Sequence, residues 1–176
     1  MRGPTGEIVY DGNGKFVIEG KVMTFKKINL VLGGSGLTPG YALVARALLG
    51  AHEDVQVRVL DANKSEADIL LREELDHFEK ESKGRLKVTH VLSHPSESWT
   101  GYKGHVNPEI IRSNLFPPGD EVACFLCGPP AMIQKAALPA LKGEYLMSRH
   151  GLKPGEDSAN MRLDWGFQED KNVFGF

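Results

Sequence analysis

The sequence predicts an α/β fold, a parallel sheet with helices on both faces in three layers, preceded by a short β-hairpin. Three observations carry this expectation. Short apolar runs of strand length alternate with segments of helical spacing from Lys27 onward. Strands joined by helices need crossovers, which makes neighbouring strands parallel and distributes the helices over both faces. Two of the runs end in glycine-containing turns, Gly33-Gly34-Ser35-Gly36 and Cys127-Gly128-Pro129-Pro130, where such a sheet places ligands. The chain has 176 residues, 41% of them hydrophobic, which suits one ordinary domain with a real core.

Each element follows from local chemistry. Glu7 to Tyr10 and Lys15 to Glu19 flank Asp11-Gly12-Asn13-Gly14, whose residues tolerate positive φ, so a hairpin is expected. Ile28-Asn29-Leu30-Val31-Leu32 is nearly all apolar, as a strand buried on both faces reads. Thr38 and Pro39 offer an N-cap and a first helical position, and Tyr41, Val44, Ala45 and Leu48 recur at helical spacing until Gly50. Val55 to Leu60 is the second strand, and Glu66 to Lys80 an amphipathic helix with Ile69, Leu71, Leu75 and Phe78 near one stripe. Leu86 to Leu92 is the third strand. Asn107 caps a short helix that begins at Pro108 and carries Ile110, Ile111 and Leu115. After the Pro117-Pro118-Gly119-Asp120 loop, Val122 to Cys127 is the fourth strand, and a helix begins near Ala131. The whole reads as a Rossmann-like sheet.

Composition excludes several functions. With 21 Lys+Arg against 23 Asp+Glu, the net charge is −2 and no basic run marks a nucleic-acid binder. No segment approaches the length of apolar sequence that spans a membrane, and Met1-Arg2-Gly3-Pro4 opens no secretory signal. Two cysteines suit a reducing compartment, so a cytoplasmic location is expected. The six histidines show no metal-ligand spacing.

The chemistry is expected at the two turns. Gly34 and Gly36 begin a dinucleotide-type loop, although Pro39 stands where a third glycine would be. Small residues admit a pyrophosphate, and the following helix N-terminus offers free N–H groups; Thr38 can cap the helix or donate to phosphate. A tight strand-to-helix turn without a ligand would read the same way. At the second turn, a thiol at a strand end facing a helix N-terminus would have its thiolate favoured, whereas a free cysteine is also a common buried residue. Cys124 and Cys127 point to opposite faces of a strand, which argues against a disulfide or a zinc pair.

Taken together the turns resemble the pyridine-nucleotide domain of the ferredoxin reductase superfamily. Gly3-Pro4-Thr5-Gly6 with Tyr10, the stretch Asp68 to Leu75, and Gly104-His105-Val106 are similar to cytochrome b5 reductase and to the C-terminal module of eukaryotic nitrate reductase. Cys127 to Lys142 and the ending Asp164 to Phe176 look most like fungal assimilatory nitrate reductases. The resemblance implies a pyrophosphate site at Gly33, Gly34, Ser35, Gly36, Thr38 and Pro39. It places Gly128, Pro129, Pro130 and Met132 beside the nicotinamide of NADPH or NADH. Cys127 and Phe176 would be the positions at the reacting centre, with Cys127 orienting the ring and not attacking it.

The resemblance further implies FAD on a separate domain whose Arg-x-Tyr-Ser/Thr motif this chain lacks. Residues 1–26 would then be the end of the flavin-domain linker and the hairpin, and 27–176 the nucleotide-binding domain. In the parent enzyme, electrons would pass to a cytochrome b5-like haem domain and then to a molybdenum cofactor that reduces nitrate to nitrite. A cytochrome b5 reductase-type diaphorase, or an inactive nucleotide-binding fragment, are the other readings.

Coenzyme choice is expected after the second strand, at Asp61, Asn63, Lys64, Ser65 and Asp68. Lys64 and Ser65 suit a 2′-phosphate, whereas Asp68 matches an acidic residue associated with NADH in the family; the fungal-like ending leans to NADPH. Residues 143–163 have no counterpart in the fungal pattern. They read as a disordered insertion or as a retained intron, because Gly143-Glu144-Tyr145 can be encoded by a splice-donor string.

Overall fold

The computed structural model describes residues 8–49, 54–142, 165–169 and 171–175. The expectations for Gly3 to Gly6, the helix end at Gly50, the segment 143–163, Asp164 and Phe176 lie outside the described residues.

The chain opens with an antiparallel three-stranded meander, β1 (Ile8–Gly12), β2 (Lys15–Ile18) and β3 (Lys21–Thr24). The expected hairpin is thus extended by one strand, whose Lys21, Val22 and Thr24 are exposed and carry little burial signal. The main sheet contains β4 (Lys27–Gly33), β5 (Gln56–Asn63), β6 (Leu86–Leu92), β7 (Tyr102–Lys103), β8 (Val122–Cys127) and β9 (Val173–Gly175). All its pairings are parallel, in the order β7-β6-β5-β4-β8-β9. The strand direction of growth reverses between β4 and β8, which makes their carboxyl ends the natural ligand crevice.

Two apolar layers enclose the sheet. On one face Leu30, Leu32, Val57, Val59 and Phe125 pack under α1 (Leu37–Leu49), α2 (Arg72–Glu81) and the meander. On the other face Val31, Leu60, Cys124 and Leu126 meet α3 (Pro108–Asn114). They also meet the helical segment formed by α4 (Pro130–Met132), a π turn (Ile133–Ala137) and α5 (Leu138–Lys142). This is the expected layering, with helices on both faces.

Local departures have local causes. The helix expected over 66–80 breaks in two: a 3₁₀ turn at Glu66–Asp68, then α2 from Arg72. Ser65 and Asp68 form a reciprocal capping box that closes the short turn, and Leu71 reverses the chain at φ 50°. Leu71 is therefore 38% exposed and lies off the buried stripe, while Leu75 is fully buried. The Asn107 cap is found as expected, its Oδ1 accepting the Ile110 N–H at 3.0 Å.

Two interactions bind distant segments to the sheet. Asn29, fully buried in β4, donates from Nδ2 to the Phe116 carbonyl and accepts the Phe116 N–H at Oδ1, both at 2.9 Å. Lys27 and Arg58 sit over the Phe116 ring at 5.5 and 5.0 Å from its centre, so the connection into β8 is gripped from three strand positions. Phe16, also fully buried, contacts the rings of Tyr10, Phe25 and Phe125 at 4.9, 5.9 and 5.1 Å and seats the meander on the sheet.

Two stability predictions follow from these contacts. Asn29→Leu leaves a buried peptide N–H and C=O without partners, so unfolding in urea should show a loss of about 3 kcal/mol. Phe16→Ala should lose about 3–5 kcal/mol by the same measurement, as deletion of a buried aromatic ring does.

Candidate functional site

The first turn continues directly from β4. Gly34–Gly36 form a 3₁₀ turn that runs into α1 at Leu37, so Thr38 lies inside the helix and does not cap it. The helix begins before Thr38 because the glycines themselves take up the helical turn; no side chain caps this end. Gly34 has φ +54°, and a Cβ placed there meets nothing within 4 Å, so the position is both glycine-requiring and open. Ser35 and Thr38 are exposed beside it, and Pro39 is half-buried.

The other glycines serve contact between the two turns. A Cβ at Gly36 would stand 2.4 Å from the Cys127 carbonyl oxygen and 2.8 Å from the Gly128 nitrogen. A Cβ at Gly128, where φ is +152°, would stand 2.9 Å from the Gly33 nitrogen, and one at Gly33 would meet the Met132 Sδ and Pro129 Cδ at 2.9 Å each. The turns are packed backbone against backbone. Met132 thus seats Gly33, while Pro129 and Pro130 stay exposed at the rim.

The sequence reading missed Gly40. A Cβ there would lie 2.3 Å from the Leu32 Cδ1, so Gly40 supplies the close helix-to-strand contact that a third loop glycine would otherwise supply. Its signal was present as a glycine inside the apolar stripe of the helix.

Cys127 ends β8 opposite Leu32 of β4 and is half-buried. Burial pushes its thiol pKa up, so it is a neutral thiol and not the thiolate expected from a helix N-terminus. The helix that follows is too short and irregular to offset desolvation, with three α-helical residues before the π turn. Cys124 is fully buried on the opposite face, also pushed up by burial, and both cysteines are free. Cys127 and Gly128 line a cleft of about 520 Å³ shared with Phe174 and Gly175 of β9, with Ile18 and Glu19 of the meander, and with Glu169.

The third group gathers at the tip of β5. Ala62 is the register partner of Gly33, which sets Asn63 and the 64–68 loop beside the first turn. Lys64 is exposed. Ser65 gives both its hydroxyl and its N–H to Asp68, at 2.7 and 2.9 Å, and these bonds hold the Asp68 carboxyl below its usual range. Glu66 is lowered similarly, chiefly by the Ser96 hydroxyl.

Asp61 faces inward. Its side chain is fully buried, and Oδ2 lies 3.0 Å from His90 Nδ1 and 2.8 Å from Asn63 Nδ2. His90, read from the sequence as unremarkable, is therefore one half of a buried pair.

Along the carboxyl edge the order is the β5 loop, the first turn, the second turn and the cleft. The open Gly34 position and the exposed Ser35 and Thr38 at the start of α1 fit a pyrophosphate. The β5 loop and the Cys127 cleft flank that position on its two sides.

Comparison with known proteins bears on the fold and the family. The oxidoreductase NAD-binding domain family matches residues 30–137. NADH-cytochrome b5 reductase 2 of Danio rerio is 39% identical over 147 residues, covering 80% of this chain and 48% of that protein. The nitrate reductase [NADH] of Spinacia oleracea is 39% identical over 141 residues, covering 80% of this chain and 15% of that protein. The chain thus spans about half the length of the b5 reductase and a small part of the nitrate reductase. The crystal structure of the cytochrome b5 reductase domain of Ulva prolifera nitrate reductase superposes with a TM-score of 0.84 at 29% identity, covering 99% of this chain and 58% of that one. Paired glycine turns, a parallel sheet of ferredoxin-reductase-like fold and these relatives lead to one conclusion: the chain belongs to the oxidoreductase NAD-binding domain family.

Proposed function

We propose that this chain is the coenzyme-binding unit of a nitrate reductase-type flavoprotein. It would hold NADH and orient its nicotinamide toward FAD carried by a partner domain. The observation that carries the reading is the packing of the two glycine turns at the β4/β8 crevice, which leaves Gly34 open between exposed hydroxyls on one side and the Cys127 cleft on the other. The near-complete superposition on a nitrate reductase domain supports the nitrate branch. The equal identity to b5 reductases favours a second reading, a diaphorase that passes electrons to a haem protein. In the nitrate branch the acceptor chain would be a b5-like haem and then a molybdenum cofactor. Cytoplasmic placement belongs to the same proposal.

The residues divide the work. The Gly34 backbone, Ser35, Thr38 and the start of α1 would hold the pyrophosphate, using free N–H groups and hydroxyls. The coenzyme supplies a hydride, which requires proximity and exclusion of water more than acid–base groups. A neutral Cys127 thiol suits that need, since it packs against a ring without competing as a nucleophile. At the β5 loop Ser65 has already given both donors to Asp68, and the exposed Lys64 lies near the Asp68 carboxylate. A Ser65 with no donor left and an exposed Asp68 carboxylate favour NADH over the NADPH toward which the fungal-like ending and Lys64 lean.

Two measurements test the reading. Tryptophan quenching by NADH should show saturable binding that Gly36→Ala weakens at least about tenfold, because the added methyl drives the turns apart; unchanged binding rejects the paired-turn site. In the intact reductase, Cys127→Ser should lower kcat by about tenfold while nucleotide Kd stays within about twofold. A wild-type kcat removes the orienting role.

A further inference from the structure

We propose that the buried Asp61–His90 pair is a positioning device for coenzyme choice. It would lock the Asn63 amide with its nitrogen inward and its carbonyl oxygen toward the ligand. The site then accepts a ribose with a free 2′-hydroxyl and rejects a 2′-phosphate. This rests on the reading of the β5 tip as the adenosine end of the coenzyme site.

The geometry is a relay of three side chains. Asp61 and His90 are register partners on β5 and β6, and their side chains are 0% and 11% exposed. One carboxylate oxygen, Oδ2, faces both His90 Nδ1 at 3.0 Å and Asn63 Nδ2 at 2.8 Å. A carboxylate only accepts, so both neighbours must turn N–H groups toward it. That requirement fixes the imidazole tautomer and, more consequentially, the flip of the Asn63 amide. The Asn63 backbone is held separately, its carbonyl accepting the Ser93 N–H at 3.1 Å, so the amide flip is the remaining freedom at this position.

With Nδ2 committed inward, the planar amide turns Oδ1 outward. Asn63 is half-buried, and its Oδ1 is neither buried nor hydrogen-bonded among the described residues. An outward carbonyl oxygen can accept a bond from a ribose hydroxyl. Against a phosphate it sets acceptor against acceptor, leaving both unpaired. In many open α/β sheets a carboxylate at the end of the second strand meets the ribose directly. Here the acidic residue at that strand end is turned into the sheet, and its preference is transmitted through Asn63.

The pair is a poor stabiliser. Asp61 Oδ1 and His90 Nε2 are buried without partners, and apolar residues such as the neighbouring Val59 and Val88 would join the strands at lower cost. A specificity role explains why such a costly pair stands there.

Calorimetric titration of the whole chain with 5′-AMP and 2′-phospho-AMP tests this, because neither probe contains nicotinamide or needs a flavin partner. The wild-type chain should bind 5′-AMP more tightly. Asp61→Asn, whose amide can donate to the Asn63 oxygen and release the flip, should reduce that preference about fivefold or more. His90→Gln, which still offers Asp61 an N–H, should keep the wild-type ratio. Asn63→Ser presents a hydroxyl that can donate to phosphate and should also lose the preference, so it decides the matter if Asp61→Asn does not fold. Folded variants at 61 and 63 with the wild-type ratio, or a wild-type preference for 2′-phospho-AMP, overturn the device but leave the site reading standing. A wild-type chain that binds neither probe overturns the site reading, and the device with it.

Discussion

The contact on which the rest of the site depends is backbone against backbone, between Gly33 and Gly36 at the end of β4 and Cys127 and Gly128 at the end of β8. Glycine is required there because a single methyl would occupy space already taken by a peptide group, within 2.4 Å at Gly36. The consequence is geometric. Two turns that arise about ninety residues apart become one surface, and the first turn cannot shift without carrying the Cys127 cleft with it. A coenzyme bound across both turns, as proposed, would meet a preformed frame suited to hydride transfer, where orientation carries much of the rate.

The frame is held from behind by two uses of buried polarity and aromatic surface. Asn29 satisfies both polar groups of the Phe116 peptide and so fixes the loop that leads into β8. Phe16 fixes the meander through its ring contacts with Phe125, which in turn lies 5.4 Å from the Phe174 ring of β9. Three of the segments that wall the cleft beside Cys127, the β8 end, β9 and the meander, are therefore anchored in the same aromatic layer. A neutral thiol in that cleft follows from the same packing, since the walls that shape the cleft also remove water from the sulfur.

The β5 tip, the adenosine end of the proposed site, follows a different principle. Hydrogen-bond donors are consumed internally: Ser65 by Asp68, the Ser96 N–H and hydroxyl by Glu66, and Asn63 by Asp61. The Asn63 carbonyl oxygen and the Asp68 carboxylate face outward as acceptors, with Lys64 exposed beside them. In the proposed site, selectivity against a phosphate would be written into the loop by pairing off these donors.

Much of this was legible in the amino-acid sequence alone. Apolar runs with intervening helical spacing determined the parallel sheet and its layers, because burial on both faces leaves no polar alternation in the core strands. The two glycine turns were legible as strand-end turns, since turn chemistry is local, and the structure packs them against each other. Tertiary structure alone decided what long-range contact governs. Nothing local to Asn29 or Gly40 shows that the one pairs with the Phe116 peptide and the other lies against Leu32. The 66–80 pattern read as one helix because periodicity does not register a capping box that ends a turn. Asp61 read as a surface ligand and His90 as nothing in particular, because a sequence cannot show that parallel register sets residues 29 apart opposite each other inside the sheet. Local propensity names the elements; register and burial assign each polar atom its partner.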